Sequence, residues 1–196
     1  MGCYRCWLDT PEAMASFREA YRIPDNVLTR LNDPDDFRDG MSARGDWVPF
    51  PLIAIIEGGV RFPIHPLLRA CLSSWHLAPC QLLPNAYKII MGTAELNRLL
   101  GINLGVHDIE EAYYVCKSVG ESECYYLRVK PKQDPFVHKL EDSYKYAEDD
   151  RLFVSGEWEF GANSDRSFSV PRHFGIPPSK FQIPLRFPPP SPFGWG

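Results

Sequence analysis

Two histidines and two cysteines fall in the span "GVRFPIHPLLRACLSSWHLAPCQLLPNAYKIIMG", residues 59–92: His65, Cys71, His76 and Cys80. Imidazole and thiolate are the usual zinc ligands, and structural zinc sites take them as closely spaced pairs on a turn. The intervals here are six, five and four positions, without a tight pair. Cys71 also falls on an apolar helical stripe, so packing accounts for these residues better than a metal does. His65, just before Pro66, is expected at a helix entrance, where a side chain can satisfy a free backbone group.

"MGCYRC" holds a C-x-x-C pair, Cys3 and Cys6, but Pro11 and Ser16 stand where a zinc knuckle needs its further ligands. No strand pattern precedes the pair, as a thioredoxin-like redox site requires. Gly2 could take myristate and Cys3 palmitate, two chains that together anchor stably, although position 6 is Cys where the acylation signature has Ser or Thr. The acid runs "DPDDFRD" and "YAEDD" read as solvated faces, the second missing the spacing of a polymerase motif by one residue. No Gly-rich phosphate loop occurs, and "GESEC" lacks the serine-elbow pattern. In the tail, Arg186, Pro189 and Pro192 match an R-x-x-P-x-x-P ligand of proline-binding domains, set against an ordinary structureless tail. No catalytic residue, metal or cofactor is expected.

The elements that would position these groups are mostly helical. Thr10 and Pro11 form a cap and first turn, followed by Met14, Phe17 and Tyr21 at helical spacing. Residues 25–46 mix aspartates, arginines and glycines without a period and predict a connector, with a helical turn near Val27 to Leu31. "FPLIAIIEGG" predicts a short buried helix ending at its glycine pair. Pro66 opens a helix whose Leu67, Leu68, Cys71, Leu72 and Trp75 form one stripe. Pro79 and Pro84 suit first turns, Ala86, Ile89, Ile90, Thr93, Asn97 and Leu100 follow on one face, and Gly101 closes the helix. Asp108 is expected to cap a fifth helix with Ile109, Ala112, Tyr113 and Cys116 buried. After Gly120 the period turns alternating, and "ECYYLRVK" and "RLFVSGEWEF" predict two strands. The expected fold is α+β and mainly α-helical, a core of about five helices followed by a small two-strand β element. The expected organisation is an N-terminal extension over 1–10, a globular domain over 11–161 and an irregular proline-rich tail over 162–196.

Composition agrees with a packed domain: of 196 residues 44% are hydrophobic and 13% aromatic. A formal net charge of −4 speaks against binding a phosphate backbone through counterion release. The longest apolar run is broken by Glu57 and Arg61, so no transmembrane span is expected, and no secretory signal pattern opens the chain. The six cysteines are spread out, which favours free thiols and an intracellular, cytoplasmic or nuclear setting.

The ordered combination of "FREAYRIPDNV", the 59–92 stretch with its "RFPIHP" and "LAPCQLLPNAYKIIMG", then "CYYLRVK" and "RLFVSGEWEFG" resembles the gypsy-type transposon (gypsy-type transposase) domain family of plants, from about Phe17 to Gly161. The resemblance implies descent from a long-terminal-repeat retrotransposon, in its Gag-like region. It brings no catalytic residue with it, and the zinc knuckle, protease and polymerase segments of the longer transposon proteins do not follow the domain here. The leading expectation is a non-enzymatic Gag-like domain that self-associates, as a relic or captured fragment. A nucleic-acid-binding or strand-transfer protein is the alternative, and an adaptor lipidated at Gly2 and Cys3 the third.

Overall fold

The computed structural model describes residues 4–31, 46–119, 123–140, 150–161, 166 and 169–178. Thr10 caps the first helix, α1 (Pro11–Ala20), by accepting the Ala13 N–H at 3.1 Å. Residues Val27–Leu31 form a strand, β1, where a helical turn was expected. Their alternation places Val27, Thr29 and Leu31 on one side, and pairing with a distant strand decides the conformation, which no local pattern announces.

Val48–Pro51 is a second strand, β2, running directly into α2 (Leu52–Ile56), so the expected helix gives its first residues to a sheet. The 59–92 stretch folds as anticipated into α3 (Pro66–Trp75), a short 3-10 turn at Pro79–Gln81 and the start of α4 (Pro84–Leu100). Prolines occupy first turns, where their missing N–H costs nothing, and Gly101 ends α4 at φ +65°. The next helix, α5 (Val106–Ala112), is capped at Gly105 rather than Asp108. Asp108 sits three residues in and its carboxylate reaches back to the Gly105 N–H at 2.7 Å. Tyr113 and Cys116 are buried as expected, but on strand β3 (Tyr113–Lys117), not on a helix.

The remaining strands are β4 (Tyr125–Val129) and β5 (Arg151–Gly156). They do not pair with each other as a two-strand element would. β5 lies between β1 and β2 in one antiparallel sheet, and β3 pairs with β4 in another. With five α-helices and two small antiparallel sheets among the described residues, the fold is mixed α+β rather than mainly helical.

Leu152 and Val154 of β5 lie opposite Phe50 and Val48, and this face meets the helices. Phe153, on the other face, is covered by the Arg30 guanidinium, 4.6 Å from its ring. Within β2, Pro49 and Pro51 cannot donate a ladder hydrogen bond, so Val48 and Phe50 are the residues that can donate to β5. On the opposite edge, Arg18 takes the Val27 carbonyl at 2.7 Å and Arg30 the Leu31 carbonyl at 3.1 Å.

Packing crosses both boundaries expected from sequence. Leu8 belongs to the core, and the Asp150 carboxylate accepts the Tyr4 and Arg5 N–H groups at 3.3 and 2.9 Å, tying residues before α1 to the sheet. Val170 and Pro177 are buried as well, so residues 169–178 lie against the body as a strap. No helix among the described residues is long and apolar enough to cross a membrane.

Candidate functional site

Burial decides the fate of the two cysteines among the four candidate ligands. Cys71 and Cys80 are within the core, at 0% and 1% exposed, and burial pushes the Cys80 thiol up to about 12 and raises that of Cys71 too. Thiols held protonated in this way are poor ligands and nucleophiles. His76 ends α3 in the left-handed conformation at φ +55°. Among the described residues, no group of three or more His, Cys, Asp or Glu is placed to hold a metal ion.

His65 does what its position before Pro66 suggested. Its Nδ1 accepts the Leu67 N–H at 3.1 Å, which requires that nitrogen to be unprotonated, and burial lowers the ring's pKa from the ordinary 6.5. The folded chain therefore resists a proton that the unfolded chain takes up. The cap contributes fully above pH 6.5 and is progressively lost as pH falls through that value towards the lowered one. Denaturant titrations should show wild type losing more stability than His65→Asn between about pH 7.5 and about pH 5, because asparagine caps without titrating.

Gly2 and Cys3, Arg186, Pro189 and Pro192, and the run "DPDDFRD" all lie outside the described residues, as do the first four residues of "YAEDD". Its last residue, Asp150, is 4% exposed and serves as the anchor for Tyr4 and Arg5, not as a solvated acid.

Two features that sequence reasoning missed stand out. The first is the end of α4, where Leu99, Leu100 and Ile102 are 62%, 65% and 44% exposed, next to a Glu95–Arg98 ion pair. Leu100 was expected on the buried face. The helix outruns its packing partners, and the stripe continues past the point where it has anything to cover.

The second is the slot that holds the strap. Gln81 is fully buried, and its amide accepts the Ala78 N–H at 3.0 Å and the Gly175 N–H at 2.8 Å while donating to the Gly175 and Glu123 carbonyls at 2.9 and 3.1 Å. Gly175 is thus gripped through both its backbone groups, and a side chain on it would overlap the His76 carbonyl oxygen. A second grip is made by Glu159, 2% exposed, which accepts the Val170 N–H at 2.5 Å and pairs with Arg172 at 2.6 Å. The Arg172 guanidinium lies 4.4 Å over the Trp158 ring. Beside this grip a cleft of about 500 Å³ is lined by Trp47, Glu157, Arg172 and His173 among others. The arrangement holds a peptide segment by backbone pairing and one charged side chain. A polar residue set inside an apolar run, as in "APCQLL" and "GEWEF", is the one trace such anchors leave in the sequence.

A separate groove of about 410 Å³ is lined by Gly59, Arg61, Ile64, His65 and Met91 among others, with the Arg61 guanidinium held by the Ile55 and Val60 carbonyls. The chain matches no known family profile, no curated protein and no solved structure.

Proposed function

We propose that the chain is a non-enzymatic protein-association domain of the Gag-like kind, descended from a plant long-terminal-repeat retrotransposon. The observation that carries this reading is the apolar tip of α4: Leu99, Leu100 and Ile102 exposed together at the end of a 17-residue helix. Covering each is worth on the order of 1 kcal/mol. In a two-fold contact between copies the same residues count twice, since each tip meets its equivalent surface. The Cys71 and Cys80 thiols and the His65 imidazole are occupied in packing and capping, which leaves the 59–92 stretch a structural role. The formal charge of −4 supports protein rather than nucleic acid as the partner.

Light scattering coupled to size-exclusion chromatography, over a concentration series, tests the reading. Wild type is expected to gain mass with concentration, with or without a short nucleic acid, and Leu100→Asp to weaken that association at least tenfold without changing its fold. A monomer at every concentration would sink the proposal, and mass gained only with nucleic acid would favour a nucleic-acid-binding protein.

A further inference from the structure

The strap is gripped by groups that would serve equally well for a strap from elsewhere. Its grips are the Gln81 amide on Gly175, Glu159 on Val170 and Arg172, and the Trp158 ring under the guanidinium. All are non-covalent, and they define a pattern: an arginine for a buried carboxylate, and three residues later a glycine that fits beneath the His76 carbonyl. Between Gly161 and Ser169 there are eight chain steps, enough to reach on the order of 27 Å when extended. An identical element with an identical receptor on every copy is the condition for exchange between protomers.

We propose that residues 169–178 and their slot form an exchangeable pair, so that the slot of one copy takes the strap of a second copy of this chain. The proposal deepens the association reading and rests on it. It adds a recognition element distinct from the α4 tip, specific where the tip is only apolar. In a single copy the strap occupies its own slot and competes with its neighbours, so exchange is favoured at high local concentration, as in a growing assembly.

The test uses full-length chains carrying Leu100→Asp, which silences association through α4. A fluorescent peptide of the sequence SVPRHFGIPP, residues 169–178, is titrated into a chain whose own strap is weakened by Arg172→Ala and Gly175→Ala. Saturable binding is expected, at least tenfold tighter than to a chain with the wild-type strap, and at least tenfold weaker when the peptide's arginine is replaced by alanine. Arg172→Ala alone, which leaves Gly175 seated, is the second variant should the double one not fold. Mixing the Arg172→Ala chain with a Glu159→Gln chain should then yield a one-to-one heterodimer by light scattering, because only the mixture joins an intact strap to an intact slot. Absence of peptide binding to both strap variants, or absence of the heterodimer, would overturn the proposal. Either result leaves the α4 reading standing, since that is read from wild type without Leu100→Asp.

Discussion

Trp158→Ala is expected to cost about 3–5 kcal/mol, the range for deleting a buried large aromatic side chain. Trp158 is 2% exposed and meets Phe50 of β2 edge-on at 5.3 Å, while Phe50 in turn meets Phe62 at 5.2 Å. The guanidinium of Arg172 lies over the same ring, so one indole touches both the sheet and the strap. Alanine there opens a cavity between sheet and strap, which limits how far the surroundings can collapse to fill it. Urea denaturation followed by circular dichroism measures the loss. Trp7→Ala, at a site 64% exposed, should stay within about 0.5 kcal/mol and serves as the control. A Trp158 variant as stable as the Trp7 variant would contradict the aromatic packing.

The second large effect is expected from Gln81→Ala. Removing the amide strands the Ala78 and Gly175 N–H groups and the Gly175 and Glu123 carbonyls, at a site with no exposed surface of its own. Each buried polar group left unpaired costs about 1–3 kcal/mol. Water entering the space vacated by the side chain satisfies part of that set. A net loss of about 3 kcal/mol is therefore expected. Gln81→Glu keeps the two acceptor bonds but turns a carboxylate oxygen, at a fully buried site, towards the Gly175 and Glu123 carbonyls, so it should cost at least as much as alanine. The strap reports the same change locally: trypsin should cut after Arg172 at least tenfold faster in Gln81→Ala than in wild type. Unchanged cleavage would mean that Gln81 does not hold the strap.

Helices were legible in the sequence wherever a stop or start residue fixed them. Pro11, Pro66, Pro84 and Gly101 act through their own covalent geometry, so α1, α3 and α4 could be placed from neighbours in the chain alone. Strands were legible only in part. Val27–Leu31 and Val48–Pro51 gain their hydrogen bonds from β5, more than a hundred residues away in the first case, and nothing in their own few residues encodes that partner. Tyr113 and Cys116 show the same limit in another form: residues three apart suit a helix face, yet here they lie on a strand and are both buried. Of the site, the helix-capping role of His65 and the packing of Cys71 could be read in advance. The grips of Gln81 and Glu159 could not, because the groups they satisfy belong to residues 94 and 13 positions along the chain.

The two prolines of β2 carry a consequence for how copies can meet. A sheet border grows by donating and accepting backbone hydrogen bonds, and on β2, whose four residues are all buried against the rest of the body, Pro49 and Pro51 have no N–H to donate. On the far side, arginine side chains already occupy the first and last carbonyls of β1. Among the described residues, neither border of the three-stranded sheet therefore offers a second copy a full run of backbone donors and acceptors.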